Sequence, residues 1–329
     1  MEIAPAIMAS KSKTPAVRTN HPKRQIPINS VARALVQIGD RWSLLIIGAA
    51  FYGVHRFDEW RKAIGISSNI LAGRLSRLVG IGCFEKVRTG DGGRYIYSLT
   101  DMGRDLFPTA LMFWRFDRLW SQKHLSHPVK LVHSVCGQSM TPSIVCGNCH
   151  DGLVARDVRF VDGPGAGMEV MPPPKSSRRS RMTLGDDESI NVLFGDSINF
   201  FGDRWTQLVL ASFFLGEHRY EEIRARWQIA TNILADRLQL LVDNGMLQRR
   251  IYQIHPERSE YVLTPKGMDG YPIVLTLTKW GDRWLVKPRK PPLLLTHKHC
   301  GAELDPIVVC DRCGGELDPH EVTFELRRQ

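Results

Sequence analysis

The stretch from Gly39 to Lys86 occurs twice, returning without a gap from Gly202 to Arg249. Gly39-Asp40-Arg41-Trp42 matches Gly202-Asp203-Arg204-Trp205, and Asn69-Ile70-Leu71-Ala72 matches Asn232-Ile233-Leu234-Ala235. A doubled unit constrains the fold more than any composition value does. Each copy must satisfy the same folding pattern, and positions that differ between them become informative.

Within a copy, apolar spacing predicts short helices. Ser30 to Ile38 places Val31, Ala34, Leu35 and Ile38 on one side, and Gly39 suits a left-handed residue past the end. Asp40 is placed to cap the next helix, with Trp42 and Trp205 as core anchors. Arg56 to Ile64 forms another helix, followed by Gly65-Ile66 and the N-cap candidates Ser67 and Ser68. In the second copy Ala230 stands at Ser67's place, leaving Thr231 to cap. The next helix, to about Gly80, buries Leu71, Leu75 and Leu78. Two helices joined by a short glycine turn make a helix-turn-helix. Strands over Cys83–Arg88 and Arg94–Leu99, joined through Asp91-Gly92, make a hairpin wing, and Cys83 is expected in the core. Asp101 to about His124, and its counterpart Lys266 to Leu285, read as long aromatic-rich helices needing a partner surface.

The expected fold class is therefore mainly α with small β wings: a tandem winged helix-turn-helix, each copy followed by a zinc-ribbon-like segment. The domain reading is a disordered basic arm (1–27), a first winged helix (28–128) and ribbon (129–161), then a flexible linker (162–187). A second winged helix (188–292) and ribbon (293–329) follow.

The charge of +10 and pI near 9.4 point to a polyanionic partner. In a helix-turn-helix the second helix enters the major groove. Burying Leu71, Leu75 and Leu78 turns Asn69, Gly73 and Ser76 outward, with Ser68, Ala72 and Arg77 beside them. The second set is Thr231, Asn232, Ala235, Asp236 and Gln239. Asn and Gln pair bidentately with adenine. Arg88 and Arg94 in one wing, and Arg249, Arg250 and Arg258 in the other, are in reach of phosphates or a minor groove. Arg74 and Arg237 lie nearer the buried side, where an ion pair is expected. Asp236 and Asp243 stand where the first copy has Gly73 and Gly80, so the two reading helices differ in charge.

His133-x-x-Cys136 and Cys146-x-x-Cys149 recur as His297-x-x-Cys300 and Cys310-x-x-Cys313. Two knuckles of two ligands each close a tetrahedral Cys3His site, so each tail is expected to hold one structural Zn²⁺. Gly137, Gly301 and Gly314 allow the tight turns, and His150 and His299 are alternative ligands. A dithiol redox pair is the competing reading for a lone CxxC. No residue set points to catalysis: there is no glycine-rich phosphate loop, nucleophile–base pair or open metal site. No apolar run is long enough to span a bilayer and no signal peptide is evident, so a cytoplasmic location is expected.

Val31-Ala32-Arg33-Ala34-Leu35, Ile38-Gly39-Asp40-Arg41-Trp42, Arg56-Phe57, Gly65-Ile66-Ser67, Arg74-Leu75 and Tyr97-x-Leu99-Thr100-x-x-Gly103 together resemble the HxlR-type winged helix-turn-helix regulators of bacteria. The tails look like the zinc-ribbon-like extension of some members. The resemblance implies a repressor or activator that binds double-stranded DNA. It also implies pairing through first and last helices, which a tandem chain can make internally as a pseudo-dimer. Some relatives sense oxidants through a cysteine before the first helix. Asn29 occupies that region here, which puts thiol sensing in doubt. A small-molecule effector and a homodimer are compatible with this reading, and a membrane partner is not expected. The alternative is an interaction adaptor whose second half binds a protein instead of DNA.

Overall fold

The computed structural model describes residues 25–90, 93–120, 129–170, 195, 197–256, 258–286 and 290–326. After a short strand β1 (Gln25–Pro27), the first copy runs α1 (Ser30–Ile38), α2 (Arg41–Phe51), α3 (Phe57–Ile64) and α4 (Ser68–Gly80). The wing β2 (Phe84–Thr89) and β3 (Arg94–Leu99) follows, then α5 (Asp101–Arg104) and α6 (Phe107–Trp120). Side-chain caps set the starts: Asn29 accepts from the Ala32 N–H and Asp40 from the Ser43 N–H. Glu59 reaches back to the Arg56 N–H at 2.9 Å to open α3, which ends at Gly65 with φ +62°. Leu71, Leu75 and Leu78 are buried, as the periodicity requires.

Several expectations needed correction. Gly39 is not left-handed (φ −78°); a Cβ there would come within 2.5 Å of the Leu35 carbonyl, so steric room is what demands glycine. Ser67 occupies the N-cap position of α4 without a side-chain cap bond, and Thr231 falls inside its helix after Ala230. Trp42 is only half-buried; Trp60, with its indole N–H on the Ile46 carbonyl at 3.1 Å, anchors the core instead. The long helix is broken after Arg104, and its counterpart breaks likewise. Cys83 is fully buried as expected.

The first tail contributes β4 (Val129–His133), β5 (Gln138–Met140), β6 (Pro142–Cys146), β7 (Val158–Asp162) and β8 (Met168–Val170). β1 pairs with β8, so the end of the expected arm and the start of the expected linker form a small ladder. The rest of both stretches, 1–24 and most of 171–194, lies outside the described residues.

The second copy repeats the order with α7 (Ile198–Phe201), α8 (Arg204–Phe214), α9 (Tyr220–Trp227), α10 (Thr231–Asp243), β9 (Leu247–Gln253), β10 (Arg258–Leu263), α11 (Pro265–Met268) and α12 (Tyr271–Trp284). Its tail holds β11 (Leu293–His297), β12 (Pro306–Cys310) and β13 (Val322–Leu326).

The copies interlock. α1 packs along α12, close enough that a Cβ on Gly281 would lie 2.5 Å from the Ser30 carbonyl. Reciprocally, Phe201 of α7 sits edge-on to Phe113 and Phe116 of α6, with centroids 5.4 and 5.2 Å away. The Trp120 indole donates to Asp269 at 2.7 Å and the Trp284 indole to Asp105 at 2.8 Å, one crossing in each direction. The tails cross as well: β4 pairs with β13, β11 with β7, and β6 with β12, all antiparallel. The two outer pairings are equivalent, since Leu293 faces Asp162 where Val129 faces Leu326.

Candidate nucleic-acid interface and metal centres

Helices α4 and α10 each bury one leucine stripe and leave the opposite face open. Ser68, Asn69, Ala72, Gly73 and Ser76 are exposed on α4; Thr231, Asn232, Ala235, Asp236 and Gln239 are exposed on α10. Arg77 departs from this set: it is half-buried, donates to the Val36 carbonyl and lies 4.0 Å from Asp40. Arg74 forms the expected ion pair, 2.8 Å from Asp40, and Arg237 pairs with Asp203 in the same way. Each Asp therefore caps one helix and fastens the reading helix to it, a double use that its cap pattern alone did not reveal. Gln239 donates to Asp243 at 2.7 Å, which engages an amide otherwise able to face a base.

The wings also differ. Arg88 is exposed on β2, and the Arg94 side chain lies outside the described set. In the second wing Arg249 donates to Ser259 at 2.8 Å and Arg250 to Glu260 at 2.9 Å, while Arg258 is exposed. Arg250 holds the Glu260 carboxyl below its usual range. Its charge is thus partly met within the protein. Second-wing apolar residues Ile251, Tyr252 and Ile254 are exposed.

All eight expected metal ligands converge, but not in the expected groups. His133 and Cys136 join Cys310 and Cys313, while Cys146 and Cys149 join His297 and Cys300. Each set takes one knuckle from each copy, which overturns a self-contained site per tail. In the first set the His133 Nδ1 lies 3.6 Å from Cys136 Sγ and 3.3 Å from Cys313 Sγ, and Cys136 Sγ lies 3.9 Å from Cys310 Sγ. In the second, His297 Nδ1 lies 3.5 Å from Cys300 Sγ and 3.3 Å from Cys149 Sγ, with Cys146 and Cys300 Sγ 3.9 Å apart. Ligands about 2.0–2.3 Å from a tetrahedral Zn²⁺ are spaced roughly 3.4–3.8 Å from one another. Each Cys3His set therefore fits such an ion and leaves no fifth position. Nε2 of His133 is buried and 3.8 Å from Glu321, the carboxylate closest to orienting that ring. Gly137, Gly301 and Gly314 are left-handed as expected, with φ from +69° to +74°. His150 takes the same conformation at the place of Gly314 and is not in the ligand set, and neither is His299.

Exposed recognition faces, hairpin wings and a Cys3His ribbon define a winged helix-turn-helix regulator of transcription. The HxlR-like helix-turn-helix model matches residues 37–125 and 200–289. The chain belongs to that family, twice over. It is 38% identical to the HTH-type transcriptional regulator Rv3095 of Mycobacterium tuberculosis over 137 residues, 41% of this chain and 87% of the relative. An HTH-type transcriptional regulator of Methanothermobacter thermautotrophicus is 36% identical over 115 residues, 34% of this chain and 85% of its own. The crystal structure of PA1607 is 35% identical and covers 43% of this chain and 94% of its own, with a TM-score of 0.37. Each matched relative thus corresponds in length to about one copy. Among the described residues, no single helix is long and apolar enough to cross a membrane.

Proposed function

We propose that this regulator reads duplex DNA with both α4 and α10, as a dimer made within one chain. Asn69 and Asn232 are the base-reading residues, and Arg88, Arg249 and Arg258 contact phosphates or the minor groove. The observation that carries this reading is the reciprocal interlock. α1 on α12, α7 on α6 and three crossed strand pairs hold two exposed reading faces in one body. Two structural Zn²⁺ ions, one per crossed Cys3His set, fasten the tails. The first half contributes more affinity, because Asp236 and Asp243 set negative charge on α10 where α4 has glycines.

Footprinting of the metal-loaded chain on a selected duplex tests this. Two protected half-sites are expected. Asn69→Ala and Asn232→Ala should each relax base preference in a different half, at a cost of about 1–3 kcal/mol. Protection of a single half-site, unaffected by Asn232→Ala, would favour the adaptor reading.

A further inference from the structure

The two copies differ most where α12 and its tail meet the other copy. An apolar cavity of about 50 Å³ lies there, bounded by α8, α12, β11, the start of α1 and β7. Its wall includes Phe214, Leu215, Tyr271 and Thr278 from the second copy, with Val31 and Phe160 from the first. The matching place in the first copy is filled. Trp114 stands at the position of Thr278 and is 2% exposed. Tyr52 stands at the position of Leu215, its ring 4.2 Å from Phe324, the counterpart of Phe160. Two large aromatic groups have thus been replaced by small side chains on one side only, and the space has not collapsed.

A second observation points to an occupant. Tyr271 is 7% exposed and lines the cavity, with its ring 4.9 Å from Phe214. Among the described residues nothing hydrogen-bonds its hydroxyl, whereas the neighbouring Thr278 hydroxyl is engaged by the Val274 carbonyl at 2.8 Å. A buried hydroxyl without a partner costs about 1–3 kcal/mol, a cost that a polar ligand atom removes. The cavity also adjoins a wider cleft of about 310 Å³ that shares Leu275, Thr278, Leu293 and Leu295. An aromatic ring needs roughly 150 Å³. The inner cavity takes one edge of a ring, and the cleft or an outward turn of the 38% exposed Phe160 supplies the rest.

We infer that this is a binding site for a small aromatic molecule of one or two rings, whose single polar group meets the Tyr271 hydroxyl. The ligand replaces the indole that the first copy supplies covalently through Trp114. Because its walls come from both copies, occupancy bears on how α8 and α12 sit against α1 and β7.

The test uses indole as the probe and the metal-loaded full chain without DNA, so its outcome is independent of the DNA-reading proposal. Calorimetry should show saturable binding of one indole per chain. Thr278→Trp fills the cavity as in the first copy and should weaken binding about tenfold or more. If that variant loses its fold by circular dichroism, Leu215→Tyr makes the same test from the opposite wall. Tyr271→Phe should weaken binding about three- to tenfold. The inference is overturned by an absence of saturable binding to the wild-type chain. Wild-type affinity in the folded filling variants, or in Tyr271→Phe, overturns it equally.

Discussion

Two aspartates at equivalent junctions take opposite parts. Asp117 on α6 is 2% exposed and accepts from the Gly195 and Ser197 N–H groups at 2.7 and 2.9 Å and from the Ser197 hydroxyl. It ties down the start of the second copy, so Asp117→Ala strands three donors. A loss of about 2–4 kcal/mol is expected in urea unfolding. On α12 the aspartate has moved one place along, to Asp282, where it accepts from the Ser30 hydroxyl and glycine takes the Asp117 position. Burial pushes the Asp282 carboxyl up to about 6. A raised folded-state pKa means that the folded chain holds this proton more tightly than the unfolded chain. The stability it contributes is therefore greatest below about pH 4 and is lost as pH rises through 6. Asp282→Asn should raise stability at pH 7 by about 1–3 kcal/mol and leave it unchanged at pH 4. A variant less stable at pH 7 would contradict the assignment. Neither role was legible in the sequence. Both residues lie on helices whose apolar period is clear, but what faces them comes from the other copy.

At the level of elements, the reading helices were legible because leucines at a helical period leave only one face for solvent. The partners along that face were not. Periodicity turned Gln239 outward, but not toward Asp243, and it set Arg77 at an edge without showing that Val36 and Asp40 would hold it. The break between α5 and α6 was also hidden, since Asp105-Leu106 carries neither proline nor glycine. It follows from tertiary packing: a Cβ on Gly103 would lie 2.1 Å from the Cys83 carbonyl, so α5 is pressed against the base of the wing. The Gln239–Asp243 pair supports a prediction at this scale. Asp243→Ala releases the Gln239 amide and removes a charge that repels phosphate. Duplex affinity should rise about three- to tenfold in moderate salt, with a smaller gain in high salt as screening grows. Weaker binding by this variant would place Asp243 among the base-reading groups.

For the whole molecule, the decisive feature is which knuckle meets which. Identical spacing in both tails made the ligands legible but left within-copy and crossed pairings equivalent on paper. Strand register decides between them. β6 and β12 run antiparallel with Cys146 opposite Pro306 and Cys310 opposite Pro142. The two CxxC knuckles therefore lie at opposite ends of a five-residue ladder, about 13 Å apart. β4 pairs with β13 and ends with His133 opposite Val322, so the His133 knuckle sits with the Cys310 end of that ladder. Each metal then bridges the copies, and removing it loosens both at once. Metal counting on paired variants separates the two arrangements. Cys136→Ala with Cys313→Ala damages a single crossed site, so one ion per chain should remain by plasma mass spectrometry. Cys136→Ala with Cys149→Ala strikes both crossed sites and should leave none. Self-contained tails would give the reverse: none in the first pair and one in the second. In the unsubstituted chain, a chelator should release two ions and lower the melting temperature of both copies in a single transition, because neither tail folds around a metal of its own.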